Sequence, residues 1–159
     1  MTTHLKTIHR HRHTIKAVPN HVDQKKFIFL KRVYLADANT QGNAYFARFF
    51  DWQGMAREEF LRVAVPNHET LFLAGLRLLT VEASVEYKRE ARLFDEIEVG
   101  IQVPWIKRTN FELAFTFINT TRGELLAVGK QIIACGNAEG KLVEIPAEIK
   151  QGLKPVSPV

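Results

Sequence analysis

Along the chain, apolar and polar positions change period once and then change back. FIFLKRVYLA, residues 27–36, is rich in β-branched and aromatic residues and predicts a strand. Asp37 to Gly42 is turn chemistry. Asn43 is placed as a helix cap, and a helical period then runs to about Val65, where Pro66-Asn67 stops it. After a connection over 68–75 the pattern becomes that of strands: 76–90, 96–108 with Pro104 marking a bulge or an edge, 111–120 and 124–136. In 111–120 the alternation puts Phe111, Leu113, Phe115 and Phe117 on one face. IPAEIKQGL predicts a last helical turn. Strand, long helix, then strands joined by tight turns imply an α+β fold, an antiparallel sheet wrapped around one central helix.

On a helical wheel Phe46, Phe49, Phe50, Ala56, Phe60 and Ala64 share an apolar sector. Arg48, Asp51, Met55, Glu58, Glu59 and Arg62 take the other side. Gln53 and Arg57 break the pattern, because both fall within the apolar sector. A buried arginine is costly unless it is paired or meets a ligand. Arg57 is therefore either a structural partner of a carboxylate or strand carbonyl, or a group facing a pocket between helix and sheet; position alone leaves both open. Gln53 beside it reads first as structural. At the other helix end, free N–H groups and the dipole would favour negative charge near Asn39 to Gly42. Asn39 is a turn residue by composition, and a candidate site residue by its place there.

Composition narrows the function classes. The chain has 159 residues, enough for one domain with a core, expected over 26–150 between an arm over 1–25 and a tail over 151–159. A single cysteine, Cys135, excludes an internal disulfide framework and reads as a buried strand residue. No membrane-length apolar run occurs, and the first 20 residues lack the apolar block of a signal peptide, so the expected compartment is the cytoplasm. The net charge of +5 favours anionic partners, yet no nucleic-acid recognition motif is present. His9, His11 and His13 alternate within a basic arm without nearby carboxylates or cysteines, so no metal site is assigned.

Two sets of residues then carry a resemblance. Asn39-Thr40-Gln41-Gly42 stands where a D-x-x-G turn would stand, before the aromatic-rich helix NAYFARFFDWQGMAREEF; Tyr87, Ala91 and Asp95 follow in a Tyr-x-x-x-Ala-x-x-x-Asp segment. In these features the chain resembles hotdog-fold acyl thioesterases of the 4-hydroxybenzoyl-CoA thioesterase superfamily. Gly42-Asn43-Ala44-Tyr45-Phe46, Trp52-Gln53-Gly54 and Arg57-Glu58-Glu59-Phe60-Leu61 resemble its enediyne polyketide branch, which also has Asn in place of the usual Asp. The resemblance implies a hotdog fold and hydrolysis of acyl or polyketide thioesters, β-ketoacyl or polyene chains among them, on acyl carrier protein or coenzyme A. It implies catalytic roles for Asn39, Arg57 and the backbone N–H of Phe46, the last as oxyanion donor. Gly42, Asn43, Tyr45, Phe49, Phe50 and Gln53 are the implied substrate contacts. No cofactor or metal is expected. A homodimer or homotetramer is, because hotdog sites form between subunits, and Glu90 could approach a partner's site. Two other functions stay open: a general acyl-CoA thioesterase, and a non-catalytic acyl-binding module, which the carboxamide at Asn39 keeps in play.

Overall fold

The structure, a computed structural model, describes residues 22–23 and 26–156. The histidine-bearing arm therefore lies outside the described residues. Six strands form one antiparallel sheet: β1 (Val22–Asp23), β2 (Lys26–Arg32), β3 (Arg77–Tyr87), β4 (Glu96–Gln102), β5 (Asn110–Asn119) and β6 (Glu124–Gly136). Their order across the sheet is β1-β2-β4-β5-β6-β3. The helices are α1 (Arg48–Ala64), α2 (His68–Leu73) and α3 (Ala147–Leu153). Helix α1 packs against one face of the sheet, the arrangement expected from the strand–helix–strand order.

The alternation in β5 is realised: Phe111, Leu113, Phe115 and Phe117 are all buried, with intermediate residues between them. They meet Phe49, Trp52, Ala56 and Phe60 of α1 in a single cluster. The rings of Phe49 and Phe117 lie 5.1 Å apart at their centroids, and those of Phe27 and Phe60 5.3 Å. Burial of large side chains of this kind is worth roughly 1.5–3 kcal/mol each.

Three boundaries differ from expectation. Strand β2 ends at Arg32, because Leu35–Asp37 coils into a 3-10 turn held by the Asp37 carboxylate on the Tyr34 N–H at 2.9 Å. Helix α1 begins at Arg48, not after Asn43: residues 38 and 44 close an antiparallel bridge first, which keeps the chain extended. The wheel consequently misplaced Phe46, which precedes the helix and is 58% exposed, and Phe50 also stands exposed, while Trp52 and Leu61 join the buried face. At the other end, Leu153 and Val156, set apart as tail, are buried in the core, and the Val103 N–H donates to the Val156 carbonyl at 3.0 Å.

Among the described residues strand β3 pairs only with β6, and it is largely exposed, including Leu79 and Val81. Its register shifts between Thr80 and Glu82. This long edge is the open side of the sheet.

Candidate functional site

The turn before α1 is built around the Asn39 carboxamide. Its Oδ1 accepts from the N–H of Gln41 at 2.9 Å and of Asn43 at 3.3 Å, and the Asn39 N–H donates to the Asn43 carbonyl at 2.7 Å. Gly42 permits the closure with φ of 82°. Because both contacts to Oδ1 come from donors, the amide has one orientation, and its Nδ2 points away from them. No hydrogen bond engages that Nδ2 among the described residues. The side chain therefore offers a donor and has no acceptor to spare.

Helix α1 closes quickly: the N–H groups of Arg48, Phe49 and Phe50 donate to the carbonyls of Tyr45, Phe46 and Ala47. The freely available N–H groups near this end thus come just before the helix, at Phe46 and Ala47, for which the described residues supply no acceptor. Tyr87 holds the peptide that carries the Ala47 N–H: its hydroxyl donates to the Phe46 carbonyl at 2.8 Å, while its ring meets Phe49 edge-on at 5.3 Å. Burial pushes the Tyr87 hydroxyl above the ordinary phenol range, so it remains a donor. Asn39, Asn43, Phe46, Phe49, Tyr87 and Arg89 line one cavity of about 340 Å³. Lys88 and Glu90 also border it, so Glu90 stands in the same cavity as Asn39 within this chain.

The carboxylate nearest to Asn39 in sequence is not free. Asp37 is buried, with Lys31 Nζ at 2.9 Å and the Tyr34 N–H on the same oxygen. Burial alone would raise its pKa; the Tyr34 N–H and Lys31 outweigh that and hold it below the usual carboxylate value. Its work is to fix the turn.

Arg57 lies elsewhere. At ~1.5 Å rise per residue it is roughly 14 Å along the helix from Arg48. Its Nη1 donates to Thr80 Oγ1 at 2.9 Å and to Gln131 Oε1 at 3.1 Å. The Gln131 Nε2 donates to Gln53 Oε1 at 3.0 Å, and the Gln53 Nε2 to the Ser84 carbonyl at 3.0 Å. This chain of amides is possible because β6 has a glycine opposite: a Cβ on Gly129 would lie 2.1 Å from Gln53 Nε2. Desolvation lowers the Arg57 pKa, partly offset by the charge of Glu58, but a guanidinium stays protonated at any working pH. Arg57 borders a second cavity of about 820 Å³ between α1, α2 and β3, together with Phe29, Leu61, His68, Phe72 and Leu78.

Within one protomer the expected site residues are therefore divided. Asn39, Asn43, Phe46 and Phe49 share one cavity and Arg57 borders the other. Gln53, expected among the substrate contacts, borders neither cavity: it is fully buried with its amide engaged at both ends. Gly42, Tyr45 and Phe50 border neither cavity; Tyr45 is exposed and packs its ring on Phe46 at 4.7 Å. Glu59 is drawn to Arg62 at 2.6 Å and Glu58 is exposed. Cys135 is buried, and desolvation pushes its thiol up to about 11. Among the described residues no cluster of three or more His, Cys, Asp or Glu side chains could hold a metal ion, and no helix is long and apolar enough to cross a membrane.

Thr80, Ser84, Gly129 and Gln131 were not singled out from the sequence. Gln131 had a legible signal: it lies in phase with Ile133 and Cys135 on the buried side of β6, where an amide is out of place without a partner.

Comparison with known proteins adds a family to this geometry. The model of the thioesterase-like superfamily matches residues 33–153. A protein of Aquifex aeolicus (strain VF5), provisionally named an esterase, is 30% identical over 129 residues, which are 80% of this chain and 98% of that protein. Among solved structures, the dynemicin thioesterase, whose crystal structures describe polyene binding, superimposes with a TM-score of 0.80 at 31% identity over 84% of this chain and 99% of its own. A 1,4-dihydroxy-2-naphthoyl-CoA thioesterase from Synechocystis superimposes with a TM-score of 0.75 at 21% identity, covering 81% of this chain and 96% of that one. The latter supports the hotdog fold.

Proposed function

The chain belongs to the thioesterase-like superfamily, and we propose that it hydrolyses acyl thioesters carried on coenzyme A or on the arm of an acyl carrier protein. The observation that supports this most directly is the pair of unengaged donors, the Phe46 N–H and the Asn39 Nδ2, in residues lining one cavity. A thioester carbonyl oxygen accepts from both. When water adds to the carbonyl carbon, negative charge grows on that oxygen. One preorganised donor is worth roughly 3–4 kcal/mol against that charge. Collapse of the tetrahedral species breaks the C–S bond; water supplies the hydroxyl of the acid and the proton of the released thiol. Asn39 has no basicity to offer, so its part is position and electrostatics.

Arg57 enters from a second copy. The proposed dimer forms along the open edge of β3, so that the Arg57 cavity of one protomer meets the Asn39 cavity of its partner. Arg57 then binds the oxyanion or a β-keto oxygen on the acyl chain. The G-N-x-Y-F and W-Q-G blocks and the likeness to the dynemicin thioesterase favour polyketide-type β-ketoacyl chains as substrates, within the cytoplasm. The second reading is a non-catalytic acyl-binding module, favoured by the carboxamide at Asn39 where a base would carry a carboxylate.

Mixing tests the shared site. Asn39→Ala and Arg57→Ala each abolish thiol release from a panel of acyl-CoA and β-ketoacyl substrates. After unfolding and refolding the two variants together, half the dimers are mixed and each has one intact site, so about a quarter of wild-type activity returns. No recovery would place Asn39 and Arg57 in sites that do not share protomers. No thiol from the wild type on any substrate would favour the binding module.

A further inference from the structure

Arg57 is held by neutral groups. Its two contacts are a hydroxyl and an amide oxygen, and none of the ion pairs among the described residues includes it. A guanidinium withdrawn from water is ordinarily matched by a carboxylate, because the desolvation cost is otherwise large. Glu59 on the same helix is drawn to Arg62, in a double contact at 2.8 and 2.6 Å. Glu58 follows Arg57 in sequence but is exposed.

The supporting amides are themselves fixed. Gln131 gives its Oε1 to Arg57 only because its Nε2 is taken by Gln53, and Gln53 gives its Oε1 only because its Nε2 is taken by the Ser84 carbonyl. Turning either amide over would set two donors or two acceptors face to face. The orientation at Arg57 is thus set by a backbone carbonyl on β3, two side chains away. Among the described residues only Nη1 of the guanidinium is engaged, which leaves Nη2 and Nε for a ligand. The cavity that Arg57 borders has apolar walls, Phe29, Phe72 and Leu78 among them, and carries Glu58, Glu59 and Glu69 beside Arg62 and Arg77 on its lining; its volume is in the range of small-ligand sites.

We propose that this cavity receives an apolar chain bearing an anionic oxygen, and that Gln131 is the positioning residue that orients Arg57 toward it without pairing the guanidinium with a carboxylate. This rests on the reading of Arg57 as a substrate-facing residue. A glutamate in place of Gln131 would keep an oxygen on Arg57 and neutralise it, while setting its second oxygen against Gln53 Oε1. A role for Gln131 in packing alone would be indifferent to that difference as long as the protein folds.

Binding of dodecanoate and of dodecanol, measured by calorimetry on the full chain, separates these roles without any turnover. Wild type is expected to bind the carboxylate about tenfold more tightly than the alcohol. Gln131→Glu removes that preference and leaves dodecanol binding unchanged. Thr80→Val, at an exposed position, deletes the other neutral contact and lowers the preference about threefold; it decides the matter if Gln131→Glu does not fold. Equal binding of the two ligands by wild type overturns the proposal, as does a preference that survives in the folded Gln131→Glu protein or, failing that, a preference undiminished in Thr80→Val. Preference for dodecanoate without thiol release from any thioester would retain the anion site and reject the hydrolase.

Discussion

Gly129→Ala is the smallest change that should disable the amide relay behind Arg57. The added methyl carbon would lie 2.1 Å from Gln53 Nε2 and 2.8 Å from the Ser84 carbonyl oxygen. Neither distance is tolerable, and the second neighbour is backbone of the paired strand, in register with Gly129 through Val85. Gln53 must leave, and with it go the hydrogen bonds to Ser84 and from Gln131, both at 3.0 Å. Each buried group left unpaired costs about 1–3 kcal/mol, and forcing a methyl into a filled space adds about 1–3 kcal/mol. Gly129 has no positive φ, so alanine returns at most ~1 kcal/mol from the unfolded chain. The net expectation is a loss of about 4 kcal/mol, or a Tm lower by roughly 8–16 °C for a domain of this size. Urea unfolding at fixed protein concentration measures it. Combining the change with Gln53→Ala removes one of the clashing partners, so the double variant should recover about 2 kcal/mol relative to additivity. A loss below ~1 kcal/mol, or strict additivity, would refute the packing of Gln53 against Gly129.

Three further outcomes are expected. Tyr87→Phe keeps the ring contact with Phe49 and deletes only the bond to the Phe46 carbonyl, one peptide along from the Phe46 N–H, so kcat for thiol release should fall about fivefold, near 1 kcal/mol, with little change in Tm; an unchanged kcat would mean that the turn carrying the Phe46 N–H is held by other means. Asp37 has a folded pKa below its unfolded value, so its stabilisation is present above the ordinary carboxylate range and lost as pH falls through the lowered value; Asp37→Asn should flatten the fall in stability below about pH 4, and parallel acid limbs in urea titrations would contradict this. Cys135, with its thiol pushed to about 11 by burial, should resist iodoacetamide in the native state at neutral pH, and Cys135→Ser should retain thiol release; rapid alkylation of the folded protein would show an open strand.

The fold was largely legible because each element carries its own period. The two-residue alternation of Phe111, Leu113, Phe115 and Phe117 has one solution, a strand with that face buried, and it is the observed one. Gln53 and Arg57 were legible as intruders on an apolar helix face for the same reason. What the local pattern could not tell was which of the two was tied down. That depended on Gly129, Gln131 and Ser84, which are remote in sequence and meet α1 only when β3 and β6 pair over it. The start of α1 escaped for a similar reason: Asn43 has the chemistry of a cap, yet its backbone closes a bridge with Arg92 before the helix begins.

The sequence by itself determined the elements, the buried helix face and the resemblance to thioesterases, since these rest on residue types at short, regular spacings. Only the tertiary structure decided that Asn39 presents a donor and not an acceptor, and that it lies in a cavity apart from Arg57. It alone left the Phe46 N–H unengaged and matched Arg57 with neutral groups. Hydrogen bonding and charge compensation are settled between atoms brought together from distant parts of the chain, and no spacing along one segment records them.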